Sequence, residues 1–198
     1  NTQIPLAVTT IQLYRHDRLE YLKNLHQKAE SEGFFIGAKL VRGAYMEKER
    51  ERAAAKRYPD PIQPNREATD RDFDAACTFC LQHHHRIHSV LGTHNEASCL
   101  KAVAQMAALG LPSNAPAVWF AQLLGMSDHI SFNLANEGYN VAKYVPYGPV
   151  KELLPYMERR ARENTSVRGQ TGRELALIHK ELERRHRDVP AGPRLRHA

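Results

Sequence analysis

The chain has 198 residues, 42% hydrophobic and 25% charged, with a formal net charge of +6. That length suits one domain with a sizeable core, and the composition is that of ordinary globular proteins. No apolar run approaches the roughly 20 residues a membrane helix needs. The opening Asn1-Thr2-Gln3-Ile4-Pro5 lacks the basic and apolar regions of a signal peptide and reads as a chain cut inside a larger protein. The basic excess, gathered mostly after residue 158, is compatible with nucleic acid, an anionic membrane surface or small acidic ligands, and selects none of them. Three cysteines, Cys77, Cys80 and Cys99, argue against a disulfide scaffold and for a reducing compartment.

Strand-like and helix-like patterns alternate along the chain. Residues 6–13 form the first expected strand. Asp17 is placed to cap a helix whose Leu19, Leu22, Leu25 and Ala29 recur at helical spacing, ending at Gly33. Residues 34–41 are the second strand, followed by a charged helix over 47–57 and a proline-broken loop over 59–64. Thr69 or Asp70 is expected to cap a helix running through Leu81. Then come a strand at 87–91, a helix at 96–109 closed by Gly110, a strand at 118–124, a strand at 141–145 and a helix at 150–163. Crossovers long enough to hold a helix imply a parallel sheet, either an open Rossmann-like sheet or part of a (β/α)₈ barrel. Periodicity does not choose between them. From residue 185 a basic, proline-containing tail is expected to be disordered.

Neither Gly-x-Gly-x-x-Gly after the first strand nor Gly-x-x-x-x-Gly-Lys-Ser/Thr is present. Polar and glycine-containing clusters do recur where strands should end: Gln12 with Tyr14, Arg42-Gly43-Ala44-Tyr45, Gly92-Thr93-His94-Asn95, Gln122 with Gly125, and Tyr144 with Tyr147-Gly148. In parallel α/β folds those ends build the ligand site. Tyr156, Arg159, Arg160 and Glu163 fall at i, i+3, i+4 and i+7, placing a phenol, two guanidiniums and a carboxylate on one helix face. Two adjacent guanidinium forks suit a carboxylate or phosphate; the plainer alternative is a surface pair between Arg159 and Glu163. Lys39, mid-strand among apolar residues, either faces an anionic cofactor or points outward from a sheet edge. Cys77-x-x-Cys80 followed by His83, His84, His85 and His88 resembles zinc spacing. The cysteines, however, lie in an amphipathic pattern with Phe73, Ala76 and Phe79 and read as buried thiols, and the histidines as a solvated helix end. No metal is expected.

The strings Gly37-Ala38-Lys39-Leu40-Val41-Arg42-Gly43-Ala44-Tyr45, Thr93-His94-Asn95, Gln122-Leu123-Leu124-Gly125-Met126-Ser127-Asp128, and Tyr144-Val145-Pro146-Tyr147-Gly148 with Leu154-Pro155-Tyr156-Met157-Glu158-Arg159-Arg160-Ala161-Arg162-Glu163-Asn164 resemble proline dehydrogenase. The resemblance covers residues 9–184 and is closer to the monofunctional branch, which includes mitochondrial enzymes, than to the bifunctional one. It implies a (β/α)₈ barrel, here strands four to eight within residues 1–184, with FAD at its C-terminal face. It also implies oxidation of L-proline to Δ¹-pyrroline-5-carboxylate, with electrons passing to a membrane quinone. Arg159 and Arg160 would hold the substrate carboxylate, and Tyr45, Tyr144 and Tyr156 would surround the ring with Leu40 beneath. Gln12, Lys39, Val41, Arg42, Gly43, Ala44, Arg66, Thr93, His94, Asn95 and Gln122 would contact the flavin, and Glu163 would gate the site. A smaller residue at the place of Tyr144 marks a relative using hydroxyproline, so the tyrosine implies proline.

Two departures stand out. Lys39 occupies a place where many members carry Arg, which keeps the charge but loses the fork. The family's first strands, which contribute a substrate-contacting lysine and an acid near the flavin, have no counterpart here. An open remnant would expose sheet edges, so the polypeptide alone is expected to be inactive or aggregation-prone unless another chain or copy completes the barrel. The resemblance implies a mitochondrial matrix or inner-membrane location in a eukaryote, and a cytoplasmic or peripheral inner-membrane one in a bacterium. The competing readings are a basic nucleic-acid- or zinc-binding module, and a barrel remnant with a structural role.

Overall fold

The computed structural model describes residues 4–165 together with 176, 179, 180, 182 and 183; the basic tail and the side chains of 161–165, Glu163 among them, lie outside the described residues. The chain divides into two compact units, with the boundary between Tyr144 and Val145.

In the first unit the elements run β1 (Val8–Gln12), α1 (Arg18–Glu32), β2 (Ile36–Val41), α2 (Met46–Lys56), α3 (Arg66–Gln82), β3 (Ile87–Gly92), α4 (Glu96–Ala108), β4 (Val118–Leu123), α5 (Asp128–Asn136) and β5 (Val141–Tyr144). All neighbouring strands are parallel, and their order in the sheet is their order in the chain. Right-handed crossovers that always step in the same direction must lay every helix on the same face. A doubly wound sheet reverses direction and covers both faces. The unbroken order therefore decides what periodicity left open: this is a run of (β/α) units of the TIM-barrel type.

Alternation along each strand sorts the side chains. Ile11, Ala38, Leu40, Ile87, Leu91, Val118 and Phe120 point into the helix layer. There they form one core with Leu22 and Ala29 of α1, Phe73, Ala76 and Cys80 of α3, Cys99, Ala102 and Met106 of α4, and Ile130 of α5. The opposite, open face carries Thr10, Lys39, Val90 and Trp119 in one register row, and Gly92, Ala121 and Ala142 in another. Trp119 is 41% exposed there. In a closed barrel such residues fill the interior.

Local chemistry sets the ends. Gly33 takes φ +78° to close α1. Asp17 stands at the N-cap position of α1 but makes no side-chain cap bond, because its carboxylate is gripped by Arg15 and Arg18. α3 starts earlier than expected: the Asn65 side chain accepts the Ala68 N–H at 2.8 Å, while the Thr69 hydroxyl lies inside the helix and donates to the Asn65 carbonyl. α5, which no expectation included, places Ile130 and Ser131 against β4 after Ser127 adopts φ 52°. In the second unit, α6 (Val150–Thr165) contains Pro155 near its start, and the Glu152 and Leu153 amides donate to the Pro149 carbonyl.

Gly43 has φ +116°, and a Cβ there would lie 1.6 Å from Cδ1 of the fully buried Tyr14. Both the backbone and the packing thus require glycine. Gly43→Ala is expected to destabilise the protein by roughly 2–4 kcal/mol, read as a lowered midpoint in chemical denaturation. A change below about 0.5 kcal/mol, the ordinary surface range, would show that the Tyr14 ring moves aside freely.

Candidate active site

The C-terminal strand ends of the first unit carry a connected polar system. Arg42, the first residue after β2, donates from Nε to Asp70, from one terminal nitrogen to the Thr93 hydroxyl (2.8 Å) and from the other to the Ser98 hydroxyl (2.9 Å). Its guanidinium lies 4.3 Å from the Phe73 ring centroid. The Ser98 hydroxyl donates on to Asp74, which also pairs with Lys101. A planar fork with fixed donor directions thus locks the end of β2 to α3 and to the loop entering α4. Asn95 caps α4, its Oδ1 accepting the Ser98 N–H at 3.2 Å, and its own amide donates to the Thr93 hydroxyl at 3.1 Å.

The next loop is tied in similarly. His94 Nδ1 and the Ser127 hydroxyl are 3.0 Å apart. Burial first, and then the positive charge of Lys143, pushes the His94 pKa down to about 4, so the imidazole is neutral at physiological pH. Lys143 donates to the Met126 carbonyl and to Asp128, steadying the turn that holds Ser127.

On the open face, Lys39 reaches across from β2 to place Nζ 5.5 Å from the Tyr144 ring centroid, at the end of β5. Gly92 of β3 makes this possible, since a Cβ there would meet Val41 Cγ1 at 3.0 Å and Lys39 Cε at 3.3 Å. Gln12 lies on the same face beside a cleft lined by Thr10, Arg15, Arg18 and Glu49. Arg15 binds Glu49 at 2.8 Å, and the two arginines flanking Asp17 hold its carboxyl far below the usual carboxylate range. Lys39, Val41, Gln12 and Tyr144 are therefore brought together as one surface.

Three of the expected site residues turn their side chains toward the helix layer. Leu40 is 0% exposed and packs in the helix-side core, so its side chain does not lie on the face of Lys39 and Tyr144. Leu123, which pairs with Tyr144 in register, does. The Gln122 side chain is buried on the helix side, donating to the Thr93 carbonyl (3.2 Å) and accepting from the Ser131 hydroxyl (2.9 Å). The Arg42 guanidinium is spent on internal partners and turns toward the helices. Both residues brace the loop that presents Thr93 and His94. Tyr45 is half-exposed at the start of α2, Ala44 is partly buried beside it, and Arg66 is largely exposed on the first turn of α3, 3.9 Å from Asp70. In the second unit, the Arg160 guanidinium lies 5.2 Å from the Tyr156 ring centroid on α6, and Arg159 beside it is partly buried. Ser127 and Asp70 were missed; the non-glycine φ of Ser127 has no signature in composition, and Asp70 read as a helix cap.

Comparison with known proteins bears on this arrangement. The sequence matches the family described as proline dehydrogenase over residues 2–173. Proline dehydrogenase 1, mitochondrial, from Homo sapiens is 44% identical over 190 residues, covering 94% of this chain and 32% of the relative. Hydroxyproline dehydrogenase from Xenopus laevis is 43% identical over 189 residues, covering 93% of this chain and 41% of the relative. Among solved structures, proline utilization A (PutA) from Bdellovibrio bacteriovorus, inactivated by N-propargylglycine, superposes with a TM-score of 0.77 at 27% identity, over 83% of this chain and 17% of that one. The chain thus spans about a third of the human relative's length. With the barrel-type strand order, the match over residues 2–173 establishes that the chain belongs to the proline dehydrogenase family.

Proposed function

We propose that the protein oxidises L-proline to Δ¹-pyrroline-5-carboxylate with FAD, passing the electrons to a membrane quinone. The observation that carries this reading is the meeting of Lys39 and Tyr144, distant in sequence, on the open face beside the Thr93–His94 loop. An ammonium, an aromatic plane and hydroxyl and imidazole groups at parallel strand ends fit a planar cofactor that gains negative charge on reduction. When bound, the flavin supplies the hydride acceptor. Gln12, Val41, Thr93 and His94 would hold it, with the Gly43, Ala44 and Asn95 backbone and, at the periphery, Arg66. Lys39 would stabilise the negative charge arriving there. Arg42 and Gln122 act one step back, fixing Thr93.

Arg159 and Arg160 would grip the proline carboxylate, orienting the ring by its charged end so that the carbon bearing the transferred hydrogen is held in line. Tyr45, Tyr144, Tyr156 and Leu123 would pack the ring and exclude water, and Glu163 would pair with the arginines. A mitochondrial setting in a eukaryote, and peripheral contact with the quinone's membrane, accompany this reading; proline dehydrogenases of human, fly and bovine origin among the relatives carry "mitochondrial" in their names.

In the intact protein, Arg159→Ala or Arg160→Ala is expected to raise the KM for proline by roughly 10–100-fold, the scale of one lost charged hydrogen-bond pair. Unchanged KM and kcat in either variant would contradict the assignment. The near-equal identity to proline and hydroxyproline dehydrogenases leaves the substrate ring to be decided by Tyr144. If its phenol fills the space a ring hydroxyl needs, Tyr144→Ser raises kcat/KM for hydroxyproline relative to proline. An unaltered ratio would reject that role.

A further inference from the structure

A second cluster lies apart from these residues. His26 of α1 and His83 and His85 of the turn between α3 and β3 each bring a ligand nitrogen within 4.8 Å of the others. His26 is only 4% exposed, and its Nε2 is buried without a hydrogen-bond partner. The nearest carboxylate, Glu30 one turn along α1, stands at 3.5 Å outside hydrogen-bonding geometry. An imidazole nitrogen withdrawn from water and left unsatisfied is costly and calls for a reason. The His26 and His83 rings are 4.1 Å apart, and Phe79 meets His26 edge-on at 5.4 Å, so packing already holds two of the three imidazoles in place.

We propose that His26, His83 and His85 bind a divalent transition-metal ion of the zinc class, with Glu30 as the fourth donor. Imidazoles with one carboxylate suit zinc, nickel or copper rather than calcium or magnesium, which prefer all-oxygen shells. Tetrahedral zinc with bonds of about 2.0–2.1 Å spaces its donors about 3.4 Å apart. The nitrogens therefore close by roughly 1.4 Å at most, a movement open to the exposed His85, and Glu30, 51% exposed and 3.5 Å from His26 Nε2, completes the shell by turning its side chain. Cys77 and Cys80 take no part: both are buried in the core, and burial pushes the Cys80 thiol up to about 12, against the thiolate that a metal needs.

The cluster sits just before β3 begins at Ile87, hence at the N-terminal ends of the strands, opposite the loops that carry Thr93 and His94. Contacts at that end of a barrel serve stability rather than chemistry. The ion would add a tie between α1 and the α3–β3 turn, where the His26 and His83 rings already meet. The expectation of no metal rested on the cysteines and on three neighbouring histidines; the decisive ligand, His26, comes from a different helix.

The test is titration of the intact, metal-stripped protein with Zn²⁺ against a chromophoric chelator, and with Co²⁺ followed by visible absorption. One equivalent bound with submicromolar affinity, intense tetrahedral Co²⁺ bands, and at least tenfold weaker binding in His83→Ala and His85→Ala are expected. His84→Ala, whose Nδ1 bonds the Leu81 carbonyl instead, should bind as the parent does. All three exchanged residues are near the surface, so folding is preserved, and near-UV circular dichroism checks it. Absence of a saturable equivalent, or equal losses in His84→Ala and His85→Ala, would overturn the site. Neither outcome touches the proline reading, since the readout is metal binding alone.

Discussion

The handedness of the crossovers governs everything else in the first unit. Because each parallel strand is laid beside its predecessor in the same direction, the helices have no choice of face. One side of the sheet becomes a core of Leu, Ile, Phe and Cys side chains, and the other is left for Lys39, Trp119 and Tyr144. The period-two alternation of a strand then assigns adjacent residues to opposite fates: Lys39 to the open face, Leu40 to the core.

The strand-end loops are held by charge rather than by apolar packing. Arg42 joins α3, the β3–α4 loop and the first turn of α4 through three separate acceptors, and Gln122 adds a bond from β4 to the same loop. These linked bonds pre-set the position of Thr93 and His94. The residues that would touch a ligand are thus supported by a layer that would not, the division of labour expected of a preorganised site.

Much of this was legible in the sequence. The strands and most helices are legible through periodicity and through Gly33 and Gly110. The polar and glycine-containing clusters do fall at the C-terminal ends of the strands. What escaped has physical causes. Leu40 and Leu123 are both apolar residues next to site residues, and only the pairing register shows which one turns toward Tyr144. α5 is short and begins with a serine in the left-handed region, which propensity disfavours. α3 starts at Asn65 because an asparagine there can both cap and remain extended, a choice that Thr69 and Asp70 matched equally well on paper. On the sequence alone His26 is one polar residue among many on α1; its burial against Phe79 and His83 depends on how α1 and α3 pack.

Family membership rests on the match over residues 2–173, whereas the activity rests on whether a flavin meets proline beside Lys39. The most direct measurement is the visible absorption spectrum of the intact purified protein, taken without oxygen before and after adding L-proline. The account predicts the two-banded spectrum of an oxidised flavin, bleached by proline and restored by a quinone analogue. A colourless protein, or a flavin spectrum that proline leaves unchanged, would contradict it.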